Sequence, residues 1–235
     1  MYTNEGIAKG KKGDFAGAIA AFEKAILLNP DDDKAYTGRG IVKDERGDYL
    51  GALSDYDKAI SLNPNEATAY INRAITRSNV RDFEGAFADF DSAIEINPAL
   101  AEAYYNRAQV KEEVGTLTGA IDDYTMAIYL QPDYADAFNC RSDIRRQLGH
   151  FEEALQDARK AIEINPDHLY AYATIAEIYA QMGDRDLFFD NLTIALEKGF
   201  PAWEFQDENE AYAPYRNDPQ FLTLLQTYRS ATQNT

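Results

Sequence analysis

Small, aromatic and turn-forming residues recur along the first 198 residues of this chain at a fixed interval of 34. Asn-Pro or Gln-Pro pairs mark the end of each interval, at Pro30, Pro64, Pro98, Pro132 and Pro166. An alanine column comprises Ala18, Ala52, Ala86, Ala120 and Ala154, and an aromatic column comprises Phe22, Tyr56, Phe90 and Tyr124. Because independent columns keep one register, the pattern indicates a repeated structural unit.

Each unit is predicted to form two helices joined by a tight turn. In the second unit the helices are expected at Asp33–Arg46 and Tyr49–Asn63. Gly47 suits a left-handed position after the first helix, Asp48 suits the N-cap of the second, and Pro64 cannot continue a helix. The alanine columns let neighbouring helices approach closely. The period therefore predicts an all-α chain of repeated helix pairs.

These tandem units resemble the tetratricopeptide repeat family, whose period is 34 residues. The resemblance implies an α-solenoid of antiparallel helix pairs, a right-handed superhelix whose concave groove is formed by the first helix of each pair. It covers residues 1–198, where the first unit is slightly truncated and the last is degenerate, with Phe188 and Phe200 replacing a small residue and a proline. We expect units at 1–32, 33–66, 67–100, 101–134, 135–168 and 169–198.

The two ends of the repeat array differ. Residues 199–235 change in character, with an acidic patch at 204–210 and a final amphipathic helix expected at about 219–229. This segment resembles the terminal caps of bacterial repeats of this type, which cover the last apolar face. No such cap precedes the first helix, so either the natural chain is longer or lightly capped there, or another chain covers this face.

Charged residues replace the usual Leu and Tyr on the first helices. Basic residues four apart form a stripe that includes Arg39, Arg73, Arg107 and Arg141, and the second helices carry Asp55, Asp89, Asp123 and Asp157 in register. We predict an interhelical ion ladder, which would say more about register than about net stability. The alternative is that the long stems cover apolar surface while the charges stay in water.

The resemblance also implies which positions face the concave groove. The candidate partner-binding residues are Ile7, Ile41, Ile71, Asn72, Ile75, Tyr105, Asn106 and Gln109. Amides can hold a peptide backbone through paired hydrogen bonds, and the acids elsewhere on this face favour a protein or peptide with basic and apolar character. The alternative is that the isoleucines pack against the next repeat. The basic residues with which some family members clamp a chaperone carboxylate are missing, because Thr37 and Ile71 stand where a Lys is needed.

Composition narrows the classes of partner and compartment. A net charge of −17 argues against nucleic acid, which is bound through clustered Lys and Arg. The sequence contains no run of about 18 apolar residues, so no membrane span is expected. The start has no basic and apolar signal pattern, and Cys140 is the single cysteine, so a cytoplasmic location is expected, although a removed signal peptide or a larger parent protein stays possible.

Candidate chemistry is sparse. His150 and His168 are both predicted in surface turns, without the spacing of a zinc site, and Cys140 is expected to be a packing or groove thiol. We therefore expect no metal, no cofactor and no enzymatic activity. Two interpretations remain: a scaffold that binds a partner in the groove, and a self-assembling module that oligomerises through the uncapped N-terminal face.

Overall fold

The computed structural model describes residues 1–202 and 210–232, with side chains described up to Tyr228. These ranges contain helices and turns and no β-strand. The α-helices are α1 (Tyr2–Gly10), α2 (Phe15–Leu28), α3 (Asp33–Glu45), α4 (Tyr49–Leu62), α5 (Ala67–Asn79), α6 (Phe83–Ile96), α7 (Ala101–Glu113), α8 (Leu117–Leu130), α9 (Ala135–Gln147), α10 (Phe151–Ile164), α11 (Leu169–Met182), α12 (Arg185–Glu197) and α13 (Pro219–Thr232); a 3-10 helix, η1, spans Glu210–Tyr215.

Two compact units divide the chain, an N-terminal unit at Met1–Thr116 and a C-terminal unit at Leu117–Thr235. Within each unit, helices pack in consecutive pairs, and the second helix of one pair packs against the first helix of the next. The predicted all-α class of repeated helix pairs is therefore confirmed. The helix bounds predicted for the second pair also agree with α3 and α4 to within one residue.

The turn inside each pair follows from local chemistry. The left-handed turn position is glycine in most pairs, as at Gly47, whose φ is 77°. The next residue, Asp48, accepts a hydrogen bond from the backbone N–H of Gly51 at 3.0 Å and so caps α4. A Cβ on Gly51 would lie 2.3 Å from the Asp48 carboxylate. In the third pair Arg81 takes the left-handed position, with φ 64°.

The alanine and aromatic columns form the core of the N-terminal unit. Ala18, Ala52 and Ala86 are fully buried, and the rings of the aromatic column lie between successive first helices. Gly40 must be small there, because a Cβ would lie 2.6 Å from the Tyr56 ring. Small residues thus set the spacing of the helices, and the aromatic rings fill the space that remains.

The C-terminal unit ends in a larger aromatic cluster. Phe188 stands on α12 where the other pairs have alanine, and its ring stacks on Tyr215 at 4.3 Å between centroids. It also contacts Tyr212 of η1 and Phe221 of α13. The last helix spans Pro219–Thr232. The acidic patch expected at 204–210 lies outside the described residues except for Glu210.

Candidate functional site

The arginine stripe lies against buried carboxylates of the second helices. Arg39 donates from Nε and Nη2 to the two carboxylate oxygens of Asp55, at 2.9 and 2.6 Å. Lys43 contacts the same carboxylate at 2.7 Å, and Asp55 is 3% exposed. The fork-to-carboxylate geometry is the strong, directional form of an ion pair. The bond to Asp55 raises the pKa of Arg39 above its ordinary value.

The same arrangement recurs in both units. Arg73 binds Asp89 at 2.9 and 2.6 Å in the N-terminal unit, and Arg141 binds Asp157 at 2.8 and 2.7 Å in the C-terminal unit. Asp123, in the C-terminal unit, is buried as well. The structure thus forms three of the predicted Arg–Asp ion pairs, two in the N-terminal unit and one in the C-terminal unit.

Arg73 and Arg107 each have a partner on the preceding pair that was not predicted from the sequence. Arg73 also donates from Nη1 to Asp57 on the second helix of the preceding pair, at 2.6 Å. Arg107 makes the equivalent bond to Asp91. Burial alone would lower the pKa of Arg73, but its bonds to Asp89 and Asp57 raise it above the ordinary value. The signal was present in the sequence, because Asp57 and Asp91 are themselves 34 residues apart.

The candidate groove residues of the N-terminal unit do not share one environment. Ile7 is 41% exposed, and Ile41 and Ile75 are half-buried. Ile71 is only 3% exposed and belongs to the core around Phe90, so its inclusion among the groove residues is wrong. Its position on the first helix faces the neighbouring helix, and Thr37, at the same position of the preceding pair, is buried too.

The amide side chains among the candidate groove residues form hydrogen bonds within their own helices. Asn72 donates to the carbonyl of Thr68 at 2.8 Å, and Asn106 donates to the carbonyl of Glu102 at 2.9 Å. Gln109 is exposed and donates to the hydroxyl of Tyr105 at 3.3 Å. The amide oxygens of these side chains are hydrogen-bond acceptors that the three bonds do not use.

An apolar cavity lies between α1 and α3, above the ring of Phe22, and we name it the Phe22 cavity. Its volume is about 210 Å³. The residues that line it are Gly6, Ile7, Gly10, Lys11, Phe22, Gly38, Ile41, Val42 and Glu45. The glycines contribute no side chain, so the walls are the aliphatic side chains of the two helices. Lys11 and Glu45, at the last turn of each helix, supply the charges.

A second cavity, the Phe90 cavity, lies between α5 and α7 and has a volume of about 220 Å³. It is lined by Ile75, Ser78, Asn79, Phe90, Asn106, Gln109, Val110 and Glu113. Half of these residues carry an amide or hydroxyl side chain. Between the two cavities, where α3 packs against α5, Thr76 donates to the carboxylate of Asp44 at 2.7 Å. Burial raises the pKa of the neighbouring Tyr56 above its ordinary value.

The two histidines differ from each other. His150 is exposed, as predicted. The prediction of a surface position is wrong for His168, which is 7% exposed. Its Nδ1 accepts from the backbone N–H of Ala171 at 3.2 Å, and its Nε2 lies 3.0 Å from Asp136. The ring thus caps the N-terminus of α11 and reaches Asp136 on the preceding pair.

The described part of the chain contains neither a cluster of metal-binding side chains nor a membrane-spanning helix. No group of three or more His, Cys, Asp or Glu side chains in residues 1–202 and 210–232 is arranged to hold a metal ion. No helix in those ranges has the length and apolar character needed to cross a membrane. Cys140 is half-buried on α9.

Family models and solved structures of other proteins contain helix pairs similar to these. Family models described as tetratricopeptide repeat match residues 3–67, 101–134 and 135–168. A crystal structure of MamA is 28% identical, with a TM-score of 0.62 over 68% of this chain and 93% of that one. YrrB, titled "a TPR protein with an unusual peptide-binding site", is 22% identical, with a TM-score of 0.63 over 83% of this chain and 97% of that one.

A third structure covers more of the chain. The pilF protein of Pseudomonas aeruginosa is 15% identical, with a TM-score of 0.78 over 92% of this chain and 95% of that one. At this level of identity the similarity shows a common fold. No relative among curated proteins matches the sequence.

Proposed function

The chain belongs to the tetratricopeptide repeat family, and from this premise we propose that it binds a peptide segment of a partner protein along the first helices of its N-terminal unit. Family membership supports a role as a protein–protein interaction scaffold. A binding role agrees with the side chains that line the cavities of this face, which are mainly apolar and amide, with Lys11, Ser78 and two glutamates among them.

The observation that carries the proposal is the pair of cavities between first helices. A partner residue that entered the Phe22 cavity would remove aliphatic surface of Ile7 and Ile41 from water, which favours association. The Phe90 cavity offers Asn106 and Gln109 to a peptide backbone or a polar side chain. Pockets lined by apolar groups with a few placed polar groups are typical of specific binding sites.

Charge defines the partner further. Glu45 and Glu113 line the two cavities at equivalent positions, and the chain as a whole carries a net charge of −17. Such a surface accelerates encounter with basic segments and disfavours acidic ones. The proposed partner therefore has apolar anchors with basic residues beside them.

The arginine ladder has a supporting role in this proposal. Arg73 joins Asp89 of its own pair to Asp57 of the preceding pair, so it fixes the second helices of neighbouring pairs relative to each other. The cavities lie between first helices that depend on this spacing. We propose that the ladder, together with six repeats at the predicted boundaries and a C-terminal cap, keeps the cavities in place without contacting the partner.

The test is capture of partners from the native lysate by the immobilised protein, with identification by mass spectrometry. The variant Ile41→Glu with Ile75→Glu places a carboxylate in the wall of each cavity and should abolish capture while circular dichroism stays unchanged. Leu50→Glu is the matched control, because Leu50 is 80% exposed on a second helix and lines neither cavity. If the double variant captured the partner as well as the unaltered protein does, the binding site would have to lie elsewhere on the protein.

Light scattering over a range of protein concentrations addresses the alternative of self-assembly through the N-terminal face. Leu27 and Leu28, near the end of α2, are exposed apolar residues that such a contact could cover. A mass that grows with concentration, and that falls in a Leu27→Glu with Leu28→Glu variant, would favour self-assembly. A strict monomer at all concentrations would refute it.

A further inference from the structure

The Phe22 cavity owes its opening to three glycines with different constraints. A Cβ on Gly6 or Gly38 would lie 2.7 or 2.5 Å from the Phe22 ring, so packing forbids a side chain at both positions. At Gly10 the nearest contact of a Cβ would be the side chain of Val42 at 3.5 Å, an ordinary van der Waals distance. Packing therefore does not demand glycine at Gly10, and the missing side chain there leaves the cavity open.

The walls of this cavity suit an aliphatic side chain. Ile7 and Ile41 face each other from α1 and α3, with Val42 beside them. Ile7 remains 41% exposed, so part of its aliphatic surface is accessible to a ligand. The lining offers no amide or hydroxyl side chain, so a polar group placed away from Lys11 and Glu45 would lose its hydrogen bonds to water without replacement.

The charges around the cavity select what lies next to that side chain. Two of the nearby lysines are already paired, Lys9 with Glu5 and Lys43 with Asp55, each at 2.7 Å. Lys11 directly follows α1, which is separated from the Phe90 cavity by α3. Glu45 lies on α3, toward that cavity, so a segment that extends from one cavity to the other passes Glu45 first.

We propose that the Phe22 cavity receives an aliphatic side chain of the partner and that Glu45 binds an adjacent basic side chain. The recognised unit is thus an aliphatic residue followed or preceded by Lys or Arg. This inference rests on the proposed function, because it specifies part of the same binding face.

Two small probes test it directly, N-acetyl-leucyl-lysine amide and N-acetyl-leucyl-glutamate amide. Titration into the 15N-labelled full chain should shift the backbone amide signals of Gly6, Gly10 and Gly38, which fall in a distinct region of the spectrum. The lysine probe should bind a few-fold more tightly, as expected for an exposed ion pair. Glu45→Gln should abolish that preference while leucine-dependent shifts remain. A stronger response to the glutamate probe would overturn the assignment to Glu45.

A plug variant supplies the second arm. Gly10→Leu should fill the cavity and abolish the shifts at Gly6 and Gly38 without lowering the melting temperature, because the position tolerates a side chain. Ala8→Leu is the control, since Ala8 is exposed on the same helix and does not line the cavity. Shifts that persist in Gly10→Leu, or that are missing in the unaltered protein, would overturn the inference. Partner capture that still depends on Ile41 and Ile75 would then leave the proposed function standing.

Discussion

The Phe22 and Phe90 cavities are built on the same frame with different linings. Eight of the nine residues that line the Phe22 cavity have a counterpart in the Phe90 cavity two repeats, or 68 residues, further along the chain. Phe22 corresponds to Phe90 and Glu45 to Glu113, but Gly38 corresponds to Asn106. Of the other positions, Gly10 corresponds to Ser78 and Ile41 to Gln109. The shared residues set the shape of the site, and the few that differ turn an aliphatic pocket into an amide-lined one.

The largest expected effect concerns the frame that both cavities share. Asp89→Ala would leave Arg73 and Arg77 without their buried partner, and should lower the free energy of unfolding by about 3 kcal/mol, because removing one member of a buried ion pair leaves an uncompensated charge. Asp91→Ala is the control, since Asp91 is exposed and its loss should cost less than about 1 kcal/mol. Urea unfolding measures both; equal losses would show that the burial of a ladder carboxylate does not determine its contribution to stability.

A second prediction concerns the position at which the cavities differ most. Gly38→Asn places in the Phe22 cavity the residue that the Phe90 cavity carries, but its Cβ would overlap the Phe22 ring at 2.5 Å. Overpacking of this kind should reduce the free energy of unfolding by about 1–3 kcal/mol. The reverse change, Asn106→Gly, creates no overlap and should cost no more than about 1 kcal/mol, the loss of helix propensity. Similar losses for the two variants would show that the phenylalanine rings do not control this position.

A third prediction tests whether the lining alone determines specificity. Asn106→Gly with Gln109→Ile gives the Phe90 cavity two residues of the Phe22 cavity. N-acetyl-leucyl-lysine amide should then perturb the amide signals of Ser78 and Val110. The affinity gain should be a few-fold for each methylene that becomes buried, at about 0.8 kcal/mol per methylene. An unchanged spectrum around the Phe90 cavity would show that the frame contributes more to recognition than the lining does.

The sequence predicted the frame of this molecule more fully than its candidate site. The period of 34 and the Gly-Asp turns determine helix pairs and their bounds, because backbone conformation and burial at those positions allow few residue types. The distinction between Ile71 and Ile75 could not be predicted in this way. Both are apolar and four residues apart on one helix, and only the neighbouring helix decides which one it covers.

His168 shows a different limit. The column that contains it also contains Asp32, which caps its helix with a side-chain oxygen, so the column signalled an N-cap. A histidine can make the same bond through Nδ1, and a ring in that place becomes buried against the preceding pair. Histidine is not among the residue types that usually cap helices, and Leu100 and Tyr134 of the same column form no side-chain cap, so the residue type alone did not predict this role.

The smallest expected effect lies in the turn before the Phe90 cavity. The corresponding turns of the first two pairs use Gly13 and Gly47, whereas Arg81 occupies the left-handed position of the third pair at φ 64°. A non-glycine residue there costs about 1–2 kcal/mol of backbone strain. Glycine removes that strain but adds entropy to the unfolded chain, so Arg81→Gly should raise the free energy of unfolding by about 0.5–1 kcal/mol.

Two contacts of the Arg81 side chain oppose this gain. Its guanidinium lies 3.6 Å from Glu113, which lines the Phe90 cavity, and 6.0 Å from the ring of Phe83. Both contacts are exposed and should contribute less than about 1 kcal/mol together. Arg81→Lys separates the two effects, because it keeps the charge and the left-handed strain. If Arg81→Gly destabilises the protein while Arg81→Lys does not, the contact of the basic side chain with Glu113 outweighs the backbone strain. The charge at the end of the Phe90 cavity then depends on the turn as well as on the helices.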